Sequence, residues 1–128
     1  MNQLGTDQAS GNVDPQDAET NKIMAVLSYF GIFLIIPYLK AKDSPFVKFH
    51  LNQGIILLVV GFAGSIGLGV VGAVLGMVLG DIGSMIGSLL SAVWSLATFV
   101  LFVLGVLNAL GGRAKQLPAV GGLFTALK

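Results

Sequence analysis

Three polar side chains stand out against the apolar background of this chain: His50, Gln53 and Asn108. The first two lie in "SPFVKFHLNQGIILLVV", at the mouth of an apolar run long enough to cross a bilayer. An imidazole there could act as a general base, a proton relay or a metal ligand. An amide could bond another helix or a lipid headgroup. At ~100° per residue, Phe46, His50, Gln53, Gly54, Leu57, Gly61 and Gly64 share one helix face. Lys48, Leu51, Ile55 and Val59 fall on the other. Asn108 comes about one turn before the end of the last apolar run, at similar depth.

Catalytic readings lack partners. His50 is the sole histidine and the chain has no cysteine, so metal ligands are too few. Ser28, Ser65, Ser84, Ser88, Ser91 and Ser95 have no histidine at their depth to act as base. No acidic residue falls within a span, no two carboxylates share a depth, and no glycine loop of the phosphate-binding kind is present. The sequence therefore implies no catalytic residue, no cofactor and no metal site, and the protein reads as not an enzyme. What remains is a polar cluster of His50, Gln53 and Asn108 at the cytoplasmic rim of a helical bundle. Gln53 and Asn108 are expected to face the interior and His50, nearer the headgroups, to be partly exposed. Bonds across membrane helices contribute about 0.6–2 kcal/mol each. A ligand or proton-relay role and headgroup contact stay open beside that reading.

The elements that must position these groups follow from composition. Of 128 residues, 55% are hydrophobic and 10% are charged, against about 25% charged in soluble domains. That is the composition of an all-α integral membrane protein. A net charge of +1 excludes a basic nucleic-acid surface. Residues 1–21, polar and turn-rich, are expected to be a disordered tail. They lack the basic start of a signal peptide. A membrane domain over 22–112 is expected to hold three transmembrane helices, at about 23–39, 54–79 and 84–110. A basic tail follows over 113–128, with Val120, Leu123, Phe124 and Leu127 at the spacing of a surface helix.

Ser44-Pro45 reads as the start of the second helix: serine caps, and proline gives up a donor that had no partner. The first two turns are expected at the interface. Gly80-Asp81 reads as the turn of a tight hairpin between the second and third spans. Gly72, Gly76 and Gly80, with Gly83 and Gly87, form stripes of small residues at a spacing of four, a glycine zipper where helix backbones approach closely. With three spans, six of the seven Lys and Arg share one side. The positive-inside rule then puts the C-terminus in the cytoplasm and the N-terminus outside a bacterial inner membrane.

The stretch "FLIIPYLKAKDSPFVKFHLNQGIILLVV", with "GVLNALGGRAKQLPAVGGLF" after the last span, resembles the Tic-twenty-like family. These are small bacterial membrane proteins related to the chloroplast inner-envelope protein-import component. Phe46, Val47, Lys48, Phe49, His50 and Gln53 match the family's core motif, and Leu117-Pro118 its tail. The resemblance implies a three-span fold and a translocation-type role. The expected function is thus a small non-catalytic structural or translocation-type subunit of a membrane assembly. Its partners would be the lipid bilayer and other membrane proteins or itself, with no nucleic acid. The alternative is a self-assembling, holin-like pore built from the glycine stripes.

Overall fold

The computed structural model describes residues 14–41 and 43–127, and all regular structure among them is helical. The elements are α1 (Pro15–Thr20), α2 (Lys22–Leu27), a 3-10 turn (Gly31–Leu34), α3 (Ile35–Lys40), α4 (Pro45–Leu79) and α5 (Asp81–Leu110). The described residues through Leu58 and from Leu101 onward form one compact unit, and Val59–Val100 form a second. Among the described residues two helices, not three, are long and apolar enough to cross a membrane: α4 and α5.

The polar N-terminal segment departs from the expected disorder at residues 14–21; the remainder of that tail lies outside the described residues. Asp14 caps α1 by accepting from Gln16 N at 3.0 Å, and Pro15 opens the helix. The helix is held by a tertiary contact. Asp17 Oδ1 accepts from Ser44 Oγ at 2.6 Å, and Asp17 Oδ2 accepts from Phe46 N at 3.2 Å. Ser44 Oγ accepts in turn from Val47 N at 3.1 Å. The expected Ser44-Pro45 start of α4 is therefore present, reinforced by a carboxylate where the helix dipole favours one.

The expected first span, 23–39, is not a single helix. α2 ends where the Ser28 hydroxyl bonds back to the Met24 carbonyl at 3.3 Å. Gly31 then takes φ +60°, a left-handed conformation that breaks the helical path. Pro37 inside α3 has no N–H to extend the ladder backward. The segment therefore turns back on itself, and α2 packs against α3. Its middle lies beside α4: a Cβ on Gly54 would run into the Ser28 carbonyl. Asp17 at one end of the segment and Ser44 at the other meet at the first turn of α4. A span would separate those ends; here they are in contact.

α4 runs unbroken through "GFAGSIGLG" to Leu79. Its first turns are enclosed by protein on every side: Phe46, Val47, His50 and Leu51 are all fully buried. The sequence puts these turns at the interface; here they are covered by protein. Burial all round explains why an apolar-face argument failed there, for it put Leu51 opposite His50. Gly80, at φ +69°, turns the chain into α5, which begins at Asp81 as anticipated. Within the Val59–Val100 unit the two helices form the expected tight hairpin. A Cβ on Gly87 would lie 2.6 Å from Gly72 Cα, and one on Gly83 would strike the Leu75 carbonyl. Gly76 faces only the Ser84 side chain, and Gly80 serves the turn instead of the packing. The Trp94 ring covers Gly64, and its Nε1 donates to the Gly61 carbonyl at 3.2 Å.

α5 closes with a Schellman arrangement. Gly112, at φ +70°, donates to the Ala109 carbonyl at 3.1 Å, and Arg113 N donates to the Asn108 carbonyl at 2.8 Å. The C-terminal segment is not the surface helix expected. Pro118 and Gly121-Gly122 break it into turns, with Ala119 at φ 68°. It folds back onto the start of α4. Leu117 joins Ala18, Ala25, Tyr29, Phe46, Leu57 and Ala109 in one core.

Candidate functional site

The polar groups of the first unit converge on the opening turns of α4. His50 is fully buried there. Its Nε2 lies 2.8 Å from the Arg113 carbonyl and its Nδ1 2.5 Å from the Tyr29 hydroxyl. A carbonyl only accepts, so Nε2 carries a proton and donates. In the neutral ring Nδ1 then accepts from the Tyr29 hydroxyl. Phe46, Phe49 and Tyr29 pack edge-on around the imidazole, with centroids 4.8, 5.3 and 5.5 Å away. Such edge-to-face contacts add about 0.5–1.5 kcal/mol beyond burial. One side chain thus ties together α4, the reversal after α2 and the segment after α5.

Two neighbouring amides hold the C-terminal segment. Gln53 donates from Nε2 to the Gly121 carbonyl at 3.0 Å, and its Oε1 accepts from Leu117 N at 2.8 Å. Asn52 donates from Nδ2 to the Leu127 carbonyl at 2.9 Å, and its Oδ1 accepts from Leu127 N at 2.6 Å. A segment without helix or strand has no ladder for its N–H and C=O groups. Buried, those groups need other partners. An amide side chain offers one donor and one acceptor group, as a peptide does, and substitutes for the missing strand. Each such bond is worth about 0.5–1.5 kcal/mol net. A cleft of about 200 Å³ lies beside the two amides, lined also by Phe49, Gln116, Phe124 and Thr125.

The structure brings His50 and Gln53 to one clasp but leaves Asn108 out of it. Gln53 is buried as expected, yet its partners are backbone groups of the C-terminal segment, not another helix. His50 is fully buried where partial exposure was expected, because Tyr29 and Arg113 cover it. Asn108 is half-buried, and its backbone carbonyl serves the α5 cap. Of the motif residues, Phe46, Val47 and Phe49 are core and Lys48 is half-buried. Sequence reasoning missed Asn52, Tyr29 and Asp17 as bonding partners and read Ser44 as a helix cap only. Asn52 sits next to Gln53, and a doubled amide inside an apolar run was a usable signal. Nothing in the local pattern of Asp17 pointed to Ser44. Both ring nitrogens of His50 are engaged, so the imidazole has no lone pair to offer a metal. Among the described residues no three His, Cys, Asp or Glu side chains group as a metal site.

Fold and clasp define a class: a small all-helical protein with two long apolar helices, whose first unit clasps its own backbone with buried polar side chains. The chain belongs to the magnetosome magnetite crystal formation protein family, whose MamF_MmsF model matches residues 20–124. It is 31% identical over 107 residues to magnetosome protein MamF of Paramagnetospirillum magneticum, covering 82% of each chain. It is 28% identical over 98 residues to magnetosome protein MmsF of the same organism, covering 77% of this chain and 79% of that one. No solved structure matches it. These findings overturn the resemblance to the Tic-twenty-like family. The motif from Phe46 to Gln53 lies inside the magnetosome-family match and is here a buried packing unit.

Proposed function

We propose that this protein is a non-catalytic subunit of the magnetosome membrane that takes part in magnetite crystal formation. The family supplies the process. The observation that carries the membrane role is the exposure of large apolar side chains along α4 and α5. Phe62, Val70, Met77, Ile82, Leu89 and Leu96 all face outward, an arrangement that lipid satisfies and water does not. The non-catalytic part rests on the clasp: its imidazole and amides bond the chain itself. The translocation-type role lost its support with the family that implied it. The holin-like alternative rested on the glycine stripes, and Gly72, Gly83 and Gly87 pack α4 against α5 within one chain.

The test is deletion of the gene in its magnetite-forming host, with crystal dimensions measured by electron microscopy. Loss should alter crystal size or shape, and the wild-type gene should restore it. Unchanged crystals would sink the assignment to crystal formation. Rescue by clasp variants should follow the amount of folded protein in the membrane. A His50 variant present at normal level but unable to rescue would instead argue for chemistry at the imidazole.

A further inference from the structure

Between Lys22 and Lys40 the chain carries no charged residue, and several of its large apolar side chains point away from the protein. Ile32 is 81% exposed and Leu39 72%, with Ile23, Phe33 and Ile35 each more than half exposed. The geometry of the segment gives its depth. Asp17 binds Phe46 N, while the Ser28 carbonyl lies against Gly54. Eight residues of helix separate those two levels on α4, or about 12 Å. On α5, Tyr29 covers Gly105 and Phe30 packs edge-on against Phe102 at 5.0 Å, a similar distance in from Leu110. After Leu34 the chain climbs back to Ser44. It therefore descends about 12 Å and returns, less than half of a ~30 Å hydrocarbon core.

We infer that residues 22–40 form a re-entrant hairpin inserted into a single leaflet, its exposed apolar side chains covered by the acyl chains of that leaflet. This rests on reading α4 and α5 as membrane spans. Acyl chains are the occupant because the hairpin packs against those same helices, and because cations gather only at its open end. The described Lys and Arg fall there in the chain: Lys22 and Lys40 bound the hairpin, Lys48 is in the first turn of α4, and Arg113 and Lys115 follow α5. Irregular backbone is tolerated at such depth where protein covers it, as α4 covers Ser28. Both ends of the described chain then lie on one side of the membrane. The positive-inside rule makes that side cytoplasmic, which reverses the outside N-terminus read from three spans.

The chain has no cysteine, so single-cysteine variants of the full protein report cleanly. Glu19→Cys, Ile32→Cys, Asp43→Cys and Asp81→Cys would be treated with a membrane-impermeant maleimide in sealed vesicles of each orientation. A nitroxide on Ile32→Cys would then be probed with oxygen and a water-soluble nickel chelate. We expect Glu19→Cys and Asp43→Cys to label from the cytoplasmic face and Asp81→Cys from the other. Ile32→Cys should resist labelling from both faces, and its nitroxide should respond to oxygen far more than to nickel. Labelling of Glu19→Cys and Asp43→Cys from opposite faces would show a full crossing and overturn the hairpin. Ready labelling of Ile32→Cys would place the segment in water, and spin–spin broadening there would show a second copy covering it; either overturns the lipid contact. Asp81→Cys labelling from the face of Asp43→Cys would instead remove the reading of α4 and α5 as spans, and the hairpin with it.

Discussion

Asp17 and Ser44 share a hydrogen bond of 2.6 Å across 27 residues of chain. That bond closes the segment between them into a loop and brings the N-terminal helix to the first turn of α4. The same carboxylate accepts from Phe46 N, so it serves the tertiary loop and the helix cap together. Asp17→Ala leaves a half-buried hydroxyl and a helix N–H without their acceptor. We expect a loss of about 1–3 kcal/mol, read as the midpoint of unfolding in mild detergent. Asp17→Asn keeps an acceptor and should lose less. Equal losses would mean that the contact acts through charge alone.

The clasp makes a prediction about the C-terminal segment. Gln53→Ala removes the partners of Leu117 N and the Gly121 carbonyl. Asn52→Ala removes those of Leu127. Either variant should loosen residues after Arg113, with Gln53→Ala the more disruptive because it anchors next to the buried Leu117. Limited proteolysis should cleave there faster, while the α4–α5 hairpin stays intact. Unchanged cleavage rates would show that apolar packing alone seats the segment.

Gln53 and Asn108 share no partner: the first holds Leu117 and Gly121, and the second contributes its backbone carbonyl to Arg113. Their alanine variants should therefore add within about 0.3–0.5 kcal/mol in a double-mutant cycle. A larger coupling would restore the three-member cluster expected from the sequence.

The glycine positions should separate by what a side chain would meet. Gly87→Ala puts a methyl group against the Gly72 backbone, whereas Gly69 has nothing within 4 Å. Overpacking of the first kind costs about 1–3 kcal/mol. Gly76→Ala meets only the Ser84 hydroxyl, a side chain able to turn away, and should fall between them. Thermal unfolding in detergent would rank the three. A Gly69→Ala loss matching that of Gly87→Ala would mean that the outer face also packs tightly.

How far the sequence revealed this architecture depended on whether each signal was local. The α4 start, its Ser44 cap and the Gly80 turn all depend on residues a turn apart, and all were legible. The close approach of Gly72 to Gly87 was legible as a stripe. The first apolar run was not. Its length and hydropathy fit a span, and only Ser28, Gly31 and Pro37 hinted at the break. What makes it return is the distant contact of Asp17 with Ser44, which no periodicity encodes. The clasp was half legible for the same reason. Gln53 and His50 were visible as misplaced polar groups, but their partners are backbone atoms of a segment that looked helical.

The Tyr29–His50 bond offers the last test, because it joins the re-entrant segment to α4 at a fully buried imidazole. Tyr29→Phe keeps the ring against Gly105 but leaves Nδ1 without its donor. An orphaned buried acceptor costs about 1–3 kcal/mol. His50→Phe removes both ring nitrogens, so it orphans the Tyr29 hydroxyl and the Arg113 carbonyl together and should cost more. In the double variant the Tyr29–His50 part of the loss disappears, since neither partner is left waiting. The coupling should be about 0.5–3 kcal/mol, with the double variant less damaged than the sum of the singles. Strict additivity, measured by unfolding in detergent, would show that the two side chains are neighbours without an energetic bond. Apolar packing at Phe30, Phe102 and Gly105 would then hold the hairpin against the helices without help from that bond.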